Sequence, residues 1–279
     1  MILKGKNIII TGGGRGIGRQ IAVTASNNGA NIALIARTKT ELQETINLLS
    51  GNGIYKYYIL DISNQSATHR IFKNIFRDFE TIDGLVNNAG IQKPIGPFHD
   101  VSLQEWIHNM EVNLYGTLFC TKEVLTHMVM ASKGKIVNLS GGGSTSPRIN
   151  FSAYGVSKTA IVRFTETIAW ELKPFGIDVN AIAPGAVNTK MLEEILEMKT
   201  EAGEEYIEAV KRKGNGGNNP RTAADLVCYL LSSESDGITG KLISAPWDAW
   251  QDETFQNELR TNKDIATLRR IDSKTYFKR

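Results

Sequence analysis

The chain has 279 residues, 41% of them hydrophobic and 22% charged, with a formal net charge of +3; this suits one large α/β domain or two small ones and gives no sign of a nucleic-acid partner. The short basic ending, Lys278 and Arg279, reads as a solvated terminus rather than a polyanion site. No apolar stretch reaches the ~18 residues needed to cross a bilayer, and MILKGKNIII lacks the architecture of a secretory leader, so a cytoplasmic protein without a membrane partner is expected.

Apolar, β-rich runs at 7–10, 31–36, 55–60, 84–87, 135–139, 178–183 and 241–244 alternate with helix-length segments at 16–28, 39–50, 65–79, 103–130, 153–174 and 222–232. Most of the runs lack polar/apolar alternation, the pattern of strands covered by helices on both faces. The order predicts an α/β fold: one domain with a doubly wound, seven-stranded parallel sheet, helices on both faces and right-handed crossovers. Two regions break the rhythm, a charged helical stretch at 190–219 ending in KGNGGNNP and a polar tail at 247–279. Cys120 and Cys228 lie far apart on apolar helical stretches and read as buried free thiols. The histidines form no metal-ligand spacing with Cys, Asp or Glu, so no metal is expected, and His127 reads as a surface or packing residue.

TGGGRGIG, Thr11 to Gly18, follows the first strand and opens the first helix. Glycine admits positive φ and lets backbone N–H groups approach a pyrophosphate at a helix N-terminus. The spacing, Gly12-x-x-x-Gly16-x-Gly18, is not the literal G-x-G-x-x-G, so the flanking strand and helix favour phosphate binding over a plain structural turn.

Five ordered motifs resemble the short-chain dehydrogenase/reductase family over residues 4 to about 245: TGxxxGIG, NNAG at Asn87–Gly90, Asn113 in VNLYG, YxxxK at Tyr154–Lys158, and Pro184-Gly185 in NAIAPGAVNT. The resemblance implies a Rossmann-like domain over 1–246, an NAD or NADP cofactor, and interconversion of a carbonyl and an alcohol. It carries cofactor contacts onto Gly12, Gly16, Ile17 and Gly18, with Asp61 and Ile62 at the adenine. It adds Asn88, Ala89 and Gly90 after the fourth strand and Pro184, Gly185 and Val187 after the sixth, with Thr189 on the nicotinamide carboxamide.

Tyr154 and Lys158 stand i and i+4 on a helix and share a face. A free phenol titrates near ~10; a nearby ammonium and the positive nicotinamide ring favour its ionised form. Tyr154 then exchanges a proton with the carbonyl or alcohol, while by resemblance Lys158 holds the nicotinamide ribose. The resemblance also gives Asn113 a water-mediated link to Lys158; the alternative is a capping or packing role. At the end of the second strand stands Arg37, with no acid beside it, and Arg15 lies inside the glycine turn. A guanidinium accommodates a ribose 2′-phosphate, so NADP(H) is favoured, with NAD(H) as the alternative.

One element of the pattern is missing. The family's site usually includes a serine 13 residues before the tyrosine, and counting back from Tyr154 reaches Gly141. Ser140 one residue early, Ser144 folded back over the glycines, or no serine at all remain open. Strand alternation, which sets Ser140 opposite to residue 141, argues against Ser140 unless the backbone bulges.

The stretch 190–219 is expected to form a lid over a small-molecule substrate, with Gly214, Gly216 and Gly217 as hinges. Its acids (Glu193, Glu194, Glu197, Glu201, Glu204, Glu205) are expected on a solvated helix face. Trp247 and Trp250 are spaced to bury their rings together, in a C-terminal extension packing on the body or a neighbour. By family pattern, the apolar helices at 103–130 and 153–174 suit a homodimer or homotetramer. A dinucleotide-sensing binding protein, and an epimerase or dehydratase retaining its nicotinamide, are the competing functions.

Overall fold

The computed structural model describes residues 1–271, the side chain of Thr200 excepted, so Lys278 and Arg279 lie outside the described residues. In chain order the elements are β1 (Asn7–Thr11), α1 (Gly16–Asn27), β2 (Asn31–Ala36), α2 (Lys39–Leu48), β3 (Tyr55–Ile59), α3 (Gln65–Phe79) and β4 (Gly84–Asn87). Then come α4 (Leu103–Met110), α5 (Gly116–Ala131), β5 (Gly134–Leu139), α6 (Ser152–Leu172) and β6 (Ile177–Ala183). The chain closes with α7 (Lys190–Met198), α8 (Glu204–Asn215), α9 (Pro220–Leu231), β7 (Leu242–Ser244) and α10 (Glu253–Thr261). The seven strands form one parallel sheet in the order β3-β2-β1-β4-β5-β6-β7. The order reverses between β1 and β4, which opens a crevice at the carboxyl ends of the strands.

Burial on both faces explains why the strands lack alternation. In β1, Ile8 and Ile10 join a core with Ile21 of α1 and Val227 of α9, while Ile9 faces the opposite core with Phe72 of α3 and Val124 of α5. Each such isoleucine contributes roughly 1.5–3 kcal/mol by leaving water. A third cluster lies under α7 and α8 and joins Ile95, Phe151 and Tyr154 to Leu192, Ile195 and Ala209.

The helix predicted over 103–130 is interrupted. Between α4 and α5, Glu111–Tyr115 forms a π-helical turn. The wider turn inserts a residue into the helical ladder and re-aims the side chain it carries. That side chain is Asn113, fully buried, whose Nδ2 reaches Ile91 O at 2.8 Å and whose Oδ1 accepts from Ile91 N at 2.8 Å.

The two cysteines are buried, as composition and context suggested. Burial pushes the Cys228 thiol up to about 12 and the Cys120 thiol higher still, so neither forms a thiolate at neutral pH. His127 stacks on Phe76 at 3.8 Å between ring centroids.

The paired burial of Trp247 and Trp250 does not occur. Trp250 is buried beside Tyr229, its Nε1 donating to Ala245 O at 3.1 Å, whereas Trp247 is 75% exposed at the mouth of the crevice. The chain turns sharply between them, with Asp248 accepting from Ser244 N at 2.7 Å, and so the two rings part. Beyond Trp250 the described tail packs on the body. Leu259 is buried, Leu242 N donates to Ala266 O at 2.7 Å, and Glu166 accepts from Leu268 N at 2.6 Å. The bond at Leu242 covers part of the open edge that β7 would otherwise present.

Candidate active site

The crevice is a cleft of about 1550 Å³ running from the glycine turn, across the ends of β4, β5 and β6, to α7 and α8. At one end Gly12 and Gly16 have φ of +66° and +55°, which L side chains rarely adopt. A Cβ at Gly18 would overlap Gly12 O, so the start of α1 closes tightly on the turn. Thr11 Oγ1 ties this turn to the segment after β4 by accepting from Asn88 N at 3.0 Å and Ala89 N at 3.1 Å. Asn88 Nδ2 donates to Thr11 O at 2.9 Å and to Gly12 O at 3.2 Å. Thr189, capping α7, lies against Gly16, since a Cβ there would meet Thr189 Cγ2 at 3.3 Å.

The cations at the far end of the turn are not alone, although no acid ends β2. Arg15 Nη1 pairs with Glu41 Oε1 at 3.0 Å, and Arg37 Nη1 stands 3.9 Å from Asp61 Oδ2. Both arginines remain about half exposed, and all four residues line the cleft with Ile62. Glu41 comes from α2 and was not anticipated.

At the centre, α6 presents Tyr154 and Lys158 from adjacent turns, both buried. Lys158 Nζ donates to Leu139 O at 2.8 Å and stands 5.6 Å from the centroid of the Tyr154 ring. Gly90 permits the approach of α5's entry to α6: a Cβ there would lie 3.0 Å from Asn113 Oδ1 and 3.4 Å from Lys158 Nζ. Asn113 Nδ2 also reaches Asn109 Oδ1 at 2.9 Å and Ser157 Oγ at 3.0 Å, and Ser157 Oγ donates to Tyr154 O at 2.8 Å. Asn109 and Ser157 thus join the constellation unforeseen, though the i, i+4 spacing of Asn109 and Asn113 was a local signal.

Burial governs the charges here. It lowers Lys158 to about 8 and raises the Tyr154 phenol, against which the Arg148 guanidinium acts. In the protein alone, desolvation thus works against the phenolate, opposing the effect expected from a nearby ammonium and a bound nicotinamide.

The missing serine has a structural counterpart. A Cβ at Gly141 would overlap Tyr154 Oη, so the phenol occupies the space that a side chain there would need. Position 141, not 140, is the one that points at Tyr154 Oη. Ile136 joins the α3–α5 core and Asn138 Nδ2 donates to Thr165 of α6 at 2.8 Å, so the even positions of β5 face α6. Ser140 continues the ladder, its N donating to Ile182 O at 2.8 Å, and its buried Oγ has no partner among the described residues. Ser144 lines the same cleft after a turn in which its N donates to Gly141 O at 3.3 Å.

After β6, Gly185 has φ of +81°, and Ala186 N donates to Asn218 Oδ1 at 2.8 Å, tying Pro184–Val187 to the end of α8. Gly216 and Gly217 have left-handed φ of +82° and +65°, while Gly214 lies within α8. The acids of this region do not all face solvent. Glu205 turns inward to Arg148 at 2.9 Å, and Glu194 accepts from Gln92 Nε2 at 3.3 Å, because buried cationic and amide donors supply partners that the sequence alone does not place.

Residues 6–200 match the family model described as short chain dehydrogenase. The chain belongs to the short chain dehydrogenase family. The 2,5-dichloro-2,5-cyclohexadiene-1,4-diol dehydrogenase of Sphingobium indicum is 33% identical over 245 residues, covering 87% of this chain and 96% of that protein. A structure of NAD+-bound xylitol dehydrogenase superposes with a TM-score of 0.81 at 27% identity, covering 88% of this chain and 98% of the other. A variant of actinorhodin polyketide ketoreductase solved with NADPH gives 0.79 at 26% identity, with coverage of 86% and 95%. This short chain dehydrogenase is an oxidoreductase, as its relatives' names state of them. Its fold is the single Rossmann-like domain expected, and among the described residues no helix is long and apolar enough to cross a membrane.

Proposed function

We propose that this short chain dehydrogenase interconverts a carbonyl and an alcohol with NADP(H), Tyr154 serving as general acid/base and Lys158 as its partner. The observation that carries the reading is the burial of Tyr154 and Lys158 side by side midway along one cleft, whose far end is the glycine turn. The left-handed glycines, the backbone at the start of α1 and the cations beyond β2 fit a dinucleotide. When bound, the cofactor supplies or accepts the hydride.

In the reducing direction Tyr154 gives its proton to the carbonyl oxygen, and in the oxidising direction it takes the proton of the alcohol. Lys158 would hold the nicotinamide ribose, and Asn113, fixed by the π-helical turn, would support a water-mediated proton path from Lys158. Ser140 donates to the substrate oxygen, a role suited to a buried hydroxyl that otherwise lacks a partner. Gly12, Gly16, Ile17, Gly18, Asp61, Ile62, Asn88, Ala89, Gly90, Pro184, Gly185, Val187 and Thr189 contact the cofactor, and α7 and α8 act as the lid. Turnover of NADPH with a panel of ketones and aldehydes tests this, and cofactor binding without turnover across the panel would favour a dinucleotide sensor.

The NADP(H) preference rests on Arg37 and Arg15, which both line the cleft near the glycine turn, where a ribose 2′-phosphate would need a cationic partner. Their acidic partners weaken the preference without cancelling it, since the Arg37–Asp61 contact is long at 3.9 Å. Arg37→Asp is expected to weaken NADPH binding by about thirtyfold or more while changing NADH by less than about threefold. Fluorescence titration of both cofactors checks this; a wild type that binds NADH tenfold tighter than NADPH overturns it.

A homodimer or homotetramer is also proposed. Ile107, Tyr115, Val156 and Trp170, on α4, the π-helical turn and α6, leave large apolar side chains exposed. Light scattering at micromolar concentration is expected to return at least the dimer mass, and a monomer there would sink the claim.

A further inference from the structure

Beyond Tyr154, the cleft wall carries charges that hydride transfer does not use. Arg148 stands in the loop between β5 and α6, where Gly142 and Gly143 leave it room: a Cβ at Gly143 would meet Arg148 Cβ at 3.3 Å. Its guanidinium lies 3.7 Å from the centroid of the Phe151 ring and 5.5 Å from that of Tyr154, and the side chain is only 14% exposed. Arg148 Nη2 donates to Glu205 Oε2 at 2.9 Å, and the same oxygen stands 3.7 Å from Arg212 Nη2. Arg212 Nε is buried with no acceptor among the described residues. All three groups line the cleft, as does Lys213. The acids on this wall are Glu193 and Glu194, the second of which accepts from Gln92.

Two guanidinium groups therefore share one carboxylate. Each carries five N–H donors in a planar fork suited to bidentate carboxylate binding, so the pair is far from saturated. The group now between them is itself a carboxylate, borne on a helix of the lid, and the reacting end of the cleft is next to it. We infer that the substrate of this enzyme carries a carboxylate bound by Arg148 and Arg212, and that Glu205 holds that place when the substrate is absent. The proximity of Arg148 to the Tyr154 ring makes the substrate a compact oxo or hydroxy acid, its carboxylate a few bonds from the reacting carbon, its apolar part against Leu192, Ile195 and Leu196. The inference rests on the reading of Tyr154 as the acid/base.

The test uses the full chain saturated with its cofactor and titrated by calorimetry with benzoate and with benzamide, a neutral match in shape. Benzoate is expected to bind about tenfold tighter or more. Arg148→Gln is expected to remove that preference, and Glu205→Gln to tighten benzoate severalfold by removing the internal competitor. If Arg148→Gln does not fold, Arg212→Gln carries the same expectation with a smaller loss. Equal or undetectable binding of both probes, a preference that survives the arginine substitutions, or weaker benzoate binding in Glu205→Gln would overturn the proposal, the last marking Glu205 as a strut of the lid. A wild type that shows no benzoate preference while its Tyr154-dependent turnover is intact would sink this inference alone. A benzoate preference without Tyr154-dependent turnover would sink the catalytic reading alone.

Discussion

Tyr154→Phe is expected to lower kcat by about a thousandfold or more, within the range that a positioned acid/base contributes, while nicotinamide binding changes by less than about threefold. The reason is that the substitution removes one atom from a packed site. The ring remains in the apolar cluster with Phe151, Leu192 and Ile195, so the packing of α6 under α7 and α8 is kept. The lost hydroxyl is the one fitted over Gly141, where no side chain competes for its space. NADPH absorbance under cofactor-saturating conditions reads the effect, and a variant within tenfold of wild type would remove Tyr154 from the chemistry. The same assay decides the serine. Ser140→Ala is expected to cost about a hundredfold in kcat, as loss of an oxyanion donor does. Near-full activity would strip Ser140 of its role and pass the question to Ser144→Ala.

Lys158→Met is expected to abolish turnover and yet raise the melting temperature of the cofactor-free protein at pH 7. Burial lowers the folded Lys158 to about 8, while in the unfolded chain a lysine titrates near ~10.4. Between those values the unfolded state binds more protons, so stability rises with pH across the window and the full penalty is felt below it. The penalty is on the order of 3 kcal/mol. Loss of the bond to Leu139 O, at about 1 kcal/mol, offsets part of the gain. A net of about 2 kcal/mol corresponds to roughly 5 °C. The decisive feature is the pH dependence. The gap between variant and wild type should close from about pH 8 to about pH 10.5, read by thermal melts without cofactor. A gap independent of pH would mean that Lys158 is not charged at a cost in the folded protein. The proposed role of Lys158 thus sets a group at the site that its own packing disfavours.

Contacts within one element, or across one strand–turn–helix, were legible in the chain. The doubly buried strands, the glycine turn after β1 and the shared face of Tyr154 and Lys158 all follow from residue spacing, because pleat and helix periods are properties of the local backbone. The gap at Gly141 could also be counted. What the sequence could not supply was the company these residues keep. Glu41 and Asp61 meet Arg15 and Arg37 only because α2 and β3 close on the turn. Glu205 reaches Arg148 across 57 residues, which converts one member of an apparently solvated acidic face into an interior partner. The π-helical turn that aims Asn113 leaves no mark in periodicity, since it offsets the helix by a single residue. Burial, which sets the direction of titration for both Tyr154 and Lys158, depends on how much chain surrounds each group. By itself the sequence determined the order of strands and helices and the helix face that carries the tyrosine and lysine. Which charges meet across the cleft, and how dry they are, only the packing of distant segments decided, because Coulomb and desolvation energies depend on distance in space and not along the chain.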